Sequence, residues 1–182
     1  AQALGSVVGQ VVLLGDGPLP DGLEAGTGSG RLLRLADVAD AQGPLAGLLA
    51  ARRWAPGAAW LVMACDQPLA GSEALGWLKA QRQPGVWAIQ PRTAGGRIQP
   101  LLAVYEPQGG ALLEDLAAID PAAGPSGLAG HERVQHPQPP EALRAAWCSA
   151  DTPAGLAALT QAGTTRTDDS GHTAETTGGE RA

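Results

Sequence analysis

The stretch that most constrains this chain is Ala59-Trp60-Leu61-Val62-Met63-Ala64-Cys65-Asp66-Gln67-Pro68-Leu69. Uncharged, mostly apolar residues run straight into one acid, and a turn carrying Pro68 follows. A run this short and this apolar predicts a strand buried on both faces, as in a parallel sheet. In open α/β sheets, ligands bind beyond the carboxyl ends of the strands. Asp66 would stand at that edge. An acid there can hold Mg²⁺ against substrate phosphates, because Mg²⁺ is usually bound through one or two carboxylates plus phosphate oxygens. The plainer reading is that Asp66 only opens the turn, where Asp is common.

Around this stretch, apolar runs alternate with helical patterns. Val11 to Leu14 reads as a buried strand, closed by Gly15-Asp16-Gly17-Pro18 and a loop to about Gly30. Arg31 to Ala36 reads as a second short strand ending at Asp37. The stretch Asp40-Ala41-Gln42-Gly43-Pro44-Leu45-Ala46-Gly47 is predicted to open a helix to about Trp54, with Pro44 at its first position and Leu45, Leu48 and Leu49 on one face. The strand 59–65 is followed by a helix from Ser72, read as its N-cap, to Gln81. Strands at 86–90 and 99–106 flank a Gly-rich turn at 92–97, and a helix runs from Gly110 to Ile119. Residues 120–140 read as loop and 145–149 as a short strand. Asp151-Thr152-Pro153 caps a last helix to Gln161. Strands alternating with helices predict an α/β fold. The expected organisation is one domain over residues 1–162 and a disordered tail over 163–182, which has no apolar side chain larger than Ala.

Composition narrows the function classes. The net charge is −6, Lys79 is the only lysine, and the eleven arginines form no stripe, so no nucleic-acid partner is expected. No apolar run approaches the roughly 20 residues needed to span a bilayer, so no membrane partner is expected. From Ala1 there is neither a basic start nor a long apolar core, so no signal peptide is expected. Cys65 and Cys148 stand far apart in apolar runs, where buried thiols are ordinary. Together these fit a reducing cytoplasm. The histidines His131, His136 and His172 have no partners at metal spacing and read as surface residues, as do Arg52 and Arg53 on a solvated helix face.

Three elements could converge on one sheet edge. Asp37 with the Gly43–Gly47 turn offers close backbone approach and a helix N-terminus for an anion or a base edge. Asp66 is the second. Arg97-Ile98-Gln99-Pro100-Leu101, a polar pair entering a strand, is the third. Each alone also reads as an ordinary helix start, turn or strand junction.

In order and spacing, these pieces resemble the molybdenum cofactor guanylyltransferase family, within the nucleotidyltransferases. The matching residues are Asp37 with Gly43-Pro44-Leu45-Ala46-Gly47-Leu48, then Leu61 to Pro68, then Gln99 to Tyr105, then Asp151-Thr152-Pro153. The resemblance implies a Rossmann-like three-layer sandwich with a mostly parallel sheet. It implies transfer of GMP from GTP to molybdopterin with release of pyrophosphate. Asp66 would be the catalytic residue and Mg²⁺ ligand. Asp37, Gly43, Pro44, Leu45 and Gly47 would bind nucleotide with Asp66. Arg97, Gln99 and Asp151 would face molybdopterin. Molybdoenzyme-maturation proteins would be further partners. Family members open with a strand, a glycine pair and an Arg/Lys loop that cradles the triphosphate. Here that N-terminal strand-loop-helix unit reads as absent, which leads to an expectation of impaired transfer. The rivals are a sibling enzyme using CTP or a sugar phosphate, and a non-catalytic cofactor-binding relative.

Overall fold

Short apolar runs and amphipathic helices alternate through residues 2–15, 17, 33–150, 152 and 154–157, which the computed structural model describes. In chain order they form α1 (Gln2–Gly5), β1 (Val12–Leu14), β2 (Leu33–Leu35), α2 (Gly43–Trp54), β3 (Trp60–Met63), α3 (Ser72–Ala80), β4 (Ala88–Ile89), β5 (Leu102–Tyr105), α4 (Pro107–Ile119) and β6 (Val134–Gln135). Two 3-10 segments, Pro125–Gly130 and Glu141–Trp147, complete the described elements.

The strands make two ladders. β1 pairs with β2 in parallel, and a second sheet has the order β3-β5-β4-β6. β3 and β4 are each antiparallel to β5, and β6 is parallel to β4. β3, β4 and β6 therefore run one way and β5 alone runs against them, so three of four strands share a direction while two of the three pairings are antiparallel.

Period-two alternation then splits the core into two halves, because successive strand side chains face opposite sides. On β5, Ala103 and Tyr105 join Leu45, Leu48 and Leu49 of α2 and Leu113 of α4. Leu102 and Val104 join Leu75 and Leu78 of α3, together with Ala146 and Trp147. The N-terminal Leu4 and Val7 pack on that second half. The result is three layers: α2 and α4, the strands, and α3 with the Glu141–Trp147 segment.

Helix limits follow local chemistry. α2 starts with Pro44 in its first turn and ends before Pro56-Gly57; Leu45, Leu48 and Leu49 are all buried. α4 starts at Pro107, three residues earlier than the sequence reading placed it, because proline is preset for a first helical turn. Its Gly109 is required by packing: a Cβ there would run into the Trp87 carbonyl oxygen.

Several expectations are corrected. The stretch 59–65 is not buried on both faces; β3 is the edge of its sheet and half-buried along its length, while β5 and the short β4 are fully buried. Ser72 does not cap α3; Gly71 holds that position and no side chain caps it. Residues 120–140 are not all loop, because they contain the 3-10 segment Pro125–Gly130 and β6. Residues 145–149 are not a strand, since the chain there closes a 3-10 segment at Trp147. Cys65 and Cys148 are exposed, not buried, since both lie past the ends of the elements that carry the apolar runs. Residues 154–157 are helical; the remainder of that helix, the loop 18–32 and the tail 163–182 lie outside the described residues.

Candidate functional site

The candidate site lies beyond the carboxyl end of β3. Trp54, closing α2, lies against Trp60, opening β3, with ring centroids 6.1 Å apart. α2 and β3 therefore run in opposite senses, and β3 rises toward the first turn of α2. That first turn holds Asp37. A Cβ added to Gly47 would lie 3.2 Å from Asp37 Oδ1 and 3.2 Å from Leu14 Cβ. Gly15, with φ +92°, sits on the other side of the same carboxylate. Asp37, exposed just past the end of β2, thus lies against Gly15, just past β1, and Gly47 of α2.

The Asp66 neighbourhood is built from three segments. The Ala64 N–H donates to the Leu101 carbonyl at 2.8 Å, continuing the β3–β5 ladder one step beyond the Met63–Leu102 pair. Asp66 and Gln99 therefore leave their strands at the same edge. The Ala150 N–H donates to the Asp66 carbonyl at 2.8 Å, which brings the segment leading to Thr152 alongside. Gln67, buried, reaches back to the Ala64 N–H at 3.3 Å. Asp66 itself is half-buried, and its Oδ1 is buried without a hydrogen-bond partner. A buried acceptor left unpaired costs about 1–3 kcal/mol, so a donor or cation reaching Asp66 Oδ1 would relieve that cost.

The wall opposite Asp66 is held from several directions. The Tyr105 hydroxyl donates to the Pro100 carbonyl at 2.8 Å and receives the Gln90 side-chain N–H at 3.2 Å. Gln90, fully buried, also donates to the Pro125 carbonyl at 2.8 Å. Burial pushes the Tyr105 phenol well above its ordinary range, so it stays a neutral donor. Gln99 is half-buried, with its N–H on the Pro91 carbonyl at 2.9 Å. Arg97 is exposed in the turn closed by the Arg92–Ile98 bridge.

The sequence-assigned residues do not all share one role. Asp37, Gly43, Pro44 and Gly47 gather at the start of α2, where Gly43 has φ +57°. Leu45 does not offer its side chain to a ligand: it is fully buried in the core, because it begins the apolar stripe of α2. Asp66, Gln99 and the chain at Ala150 converge. Asp151 lies outside the described residues. His131 and His136 are not plain surface residues. His131 stacks on Trp87 at 5.3 Å, and the two ring nitrogens of His136 face the carbonyls of Gln90 and Ala129. Arg53 binds both Asp40 and Glu114, tying α2 to α4, and Arg52 lies along Gly110 with its Nε buried and unpartnered. A hollow of about 340 Å³ between Gln83, Val86, Arg133 and Gln135 opens at the amino end of β4. That is the opposite sheet edge from Asp66.

Known proteins can now be set beside this geometry. The model of the MobA-like NTP transferase domain matches residues 1–139. The chain belongs to that family. A Bacillus licheniformis protein named "Probable molybdenum cofactor guanylyltransferase" is 45% identical over 64 residues, which are 35% of this chain and 32% of that one. The chain thus matches about a third of the length of this curated relative. The structure of molybdopterin-guanine dinucleotide biosynthesis protein A from Archaeoglobus fulgidus is 24% identical, with a TM-score of 0.55 over 75% of this chain and 69% of that one. A protein from Aquifex aeolicus VF5 is 17% identical, with a TM-score of 0.56 over 66% and 63%. At these identities the two structures speak for the fold, and they agree with the three-layer α/β sandwich.

For this MobA-like domain, the fit of a divalent metal can be tested on its own atoms. Asp66 Oδ1 is an unpaired buried acceptor, the kind of oxygen a hard cation takes. Among the described residues, no group of three or more His, Cys, Asp or Glu is placed to hold a metal. Such a donor set suits Mg²⁺, which keeps waters and accepts phosphate oxygens, better than a metal needing an all-protein cage. Sequence reasoning missed two contributors. Arg34 braces the turn beside Asp37 by donating to the carbonyls of Gly15 and Gly17, both at 2.6 Å. Trp147 anchors the segment that reaches Asp66, donating its indole N–H to the Leu102 carbonyl at 3.2 Å. Arg at an apolar strand position was a signal for the first; no local pattern signals the second. Among the described residues, no helix is long and apolar enough to cross a membrane.

Proposed function

We propose that this domain transfers GMP from GTP to molybdopterin and releases pyrophosphate, in the cytoplasm. The observation that carries the reading is Asp66: a carboxylate with an unpaired buried oxygen, at the carboxyl end of β3, beside Gln99 and Ala150. The family and the printed name of the Bacillus relative support it.

In this reaction a terminal phosphate oxygen of molybdopterin attacks the α-phosphorus of GTP. The bond from that phosphorus to the bridging oxygen breaks, and pyrophosphate leaves with its electron pair. Asp66 would hold Mg²⁺, which would supply positive charge to offset the negative charge developing on the leaving pyrophosphate. The attacking phosphate is already ionised, so no side chain need remove a proton. The chain's work is positioning, which dominates phosphoryl-type transfer. Asp37, Gly43 and Gly47 would seat the guanosine end at the start of α2. Arg97, Gln99 and Asp151 would hold the acceptor. Arg34 is committed to two carbonyls, so the described residues offer little free positive charge beside Asp37. Nucleotide binding should therefore depend strongly on the divalent ion.

The test is a titration of GTP with and without Mg²⁺, on the wild-type chain and on Asp66→Ala, followed by pyrophosphate release with molybdopterin. Metal-dependent GTP binding that vanishes in the variant is expected. Equal Mg-GTP affinity in the two proteins overturns the assignment of Asp66. Tighter binding of CTP than of GTP overturns the choice of base.

A further inference from the structure

Three successive carbonyls on the strand facing Asp66 are each held by a different donor. Pro100 O receives the Tyr105 hydroxyl, Leu101 O receives the Ala64 N–H, and Leu102 O receives the Trp147 indole. The first two donors belong to the sheet itself. The third comes from the 3-10 segment Glu141–Trp147, far along the sequence. Trp147 is 3% exposed, and it meets Trp77 of α3 edge-on with ring centroids 5.4 Å apart. Its ring is therefore fixed by packing, and its single polar atom by Leu102. Only three residues later, the Ala150 N–H bonds to the Asp66 carbonyl at 2.8 Å.

The chain from 147 to 150 is thus a short strap between two fixed points. One end is pinned to β5 at Leu102. The other end holds the backbone of the residue whose side-chain oxygen is unpaired. With each residue spanning at most about 3.6 Å, so short a strap limits how far the two pinned ends can part. A ligand site must be held to a fraction of an ångström by the groups behind it.

We propose that Trp147 is a positioning residue: its indole-to-Leu102 bond sets the Ala150–Asp66 bond, and through it the direction of the Asp66 carboxylate. The inference rests on Asp66 as the metal-nucleotide ligand for its functional consequence, but not for its structural one. Trp147 touches no reacting atom.

The experiment compares Trp147→Phe with Val134→Ala in the full chain. Phe keeps an aromatic ring on Trp77 and removes the indole donor. Val134 is a buried side chain on β6, at the far edge of the sheet from β3. Both variants should lower Tm. Amide exchange then separates them. In Trp147→Phe the Ala150 amide should exchange about fivefold faster than in the wild type, roughly the equilibrium worth of one hydrogen bond. In Val134→Ala it should change only as much as other amides of the same layer. Mn²⁺-GTP affinity, read by the Mn²⁺ resonance signal, should fall by a similar factor in Trp147→Phe alone. Ala150 protection equal to wild type in Trp147→Phe, or an equal loss in both variants, overturns the proposal. Wild-type chain that binds no Mn²⁺-GTP overturns the functional reading instead, and the exchange result still decides the role of Trp147.

Discussion

β5 and β3 are neighbours in one sheet and share four register pairs, yet they are built differently. Every residue of β5 is buried, and Tyr105, its most polar member, has both a donor and an acceptor partner. Every residue of β3 is half-buried, and polar atoms at its start and just past its end, Trp60 Nε1 and Asp66 Oδ1, lack partners. The β5 side is where apolar burial concentrates, and it too holds one unpaired buried acceptor, Gln90 Oε1 beside Tyr105. The β3 side keeps an unpaired acceptor at the sheet edge. Ligand-binding regions are commonly drawn from the less stable part of a fold. The comparison teaches that burial is uneven between paired strands, complete along β5 and partial along β3, with an unpaired carboxylate oxygen just past the tip of β3.

Substitutions can break that contrast or sharpen it. The largest loss should come from Gly109→Ala, which forces a methyl group against the rigid Trp87 carbonyl on the β5 side. Overpacking of this kind costs about 1–3 kcal/mol or more, and here the obstacle is backbone, so a loss at or above the top of that range is expected in urea unfolding. Leu102→Ala should cost about 2–5 kcal/mol in the same assay, while Leu61→Ala on half-buried β3 should cost visibly less. Equal losses at the two positions would erase the distinction between the strands.

Asp66→Ala inverts the pattern. It removes an unpaired buried acceptor, so Tm should hold or rise while metal-dependent GTP binding disappears. A large drop in Tm would mean that the carboxylate serves the fold. Gly43→Ala should cost about 1 kcal/mol, less than the core changes, for placing a side chain at φ +57°. Its loss should appear in thermal unfolding without change in the β5 core amides.

The smallest effect is expected at Asp40. The hydrogen-bonded Arg53 guanidinium holds its carboxyl below the ordinary value. A folded-state pKa below the unfolded one contributes stability above the ordinary carboxylate range. That contribution is lost as pH falls through the folded value. Asp40→Asn should therefore flatten the acid limb of Tm against pH slightly, the pair being solvent-screened.

Much of this was legible before any coordinates. Leu45, Leu48 and Leu49 announced a helix face, Pro44 its start, and Leu61-Val62-Met63 a strand. These signals are local: a period, a cap, a breaker. Leu45 was misread as a ligand contact because a motif position does not say which way a side chain points. Cys65 and Cys148 were misread as buried because apolar neighbours do not fix where an element stops. The 3-10 segment ending at Trp147 was misread as a strand, since short apolar runs carry no decisive period.

The sequence by itself determined the α/β class, the helix faces and the acid at the end of its apolar run, since each depends on side chains a few positions apart. Only the tertiary structure decided which strand would be buried whole, that Gln99 and Ala150 would meet Asp66, and that one carboxylate oxygen would be left unpaired. Those outcomes depend on hydrogen bonds between residues many positions apart, whose partners are chosen when the layers close on one another and not by any neighbour in the chain.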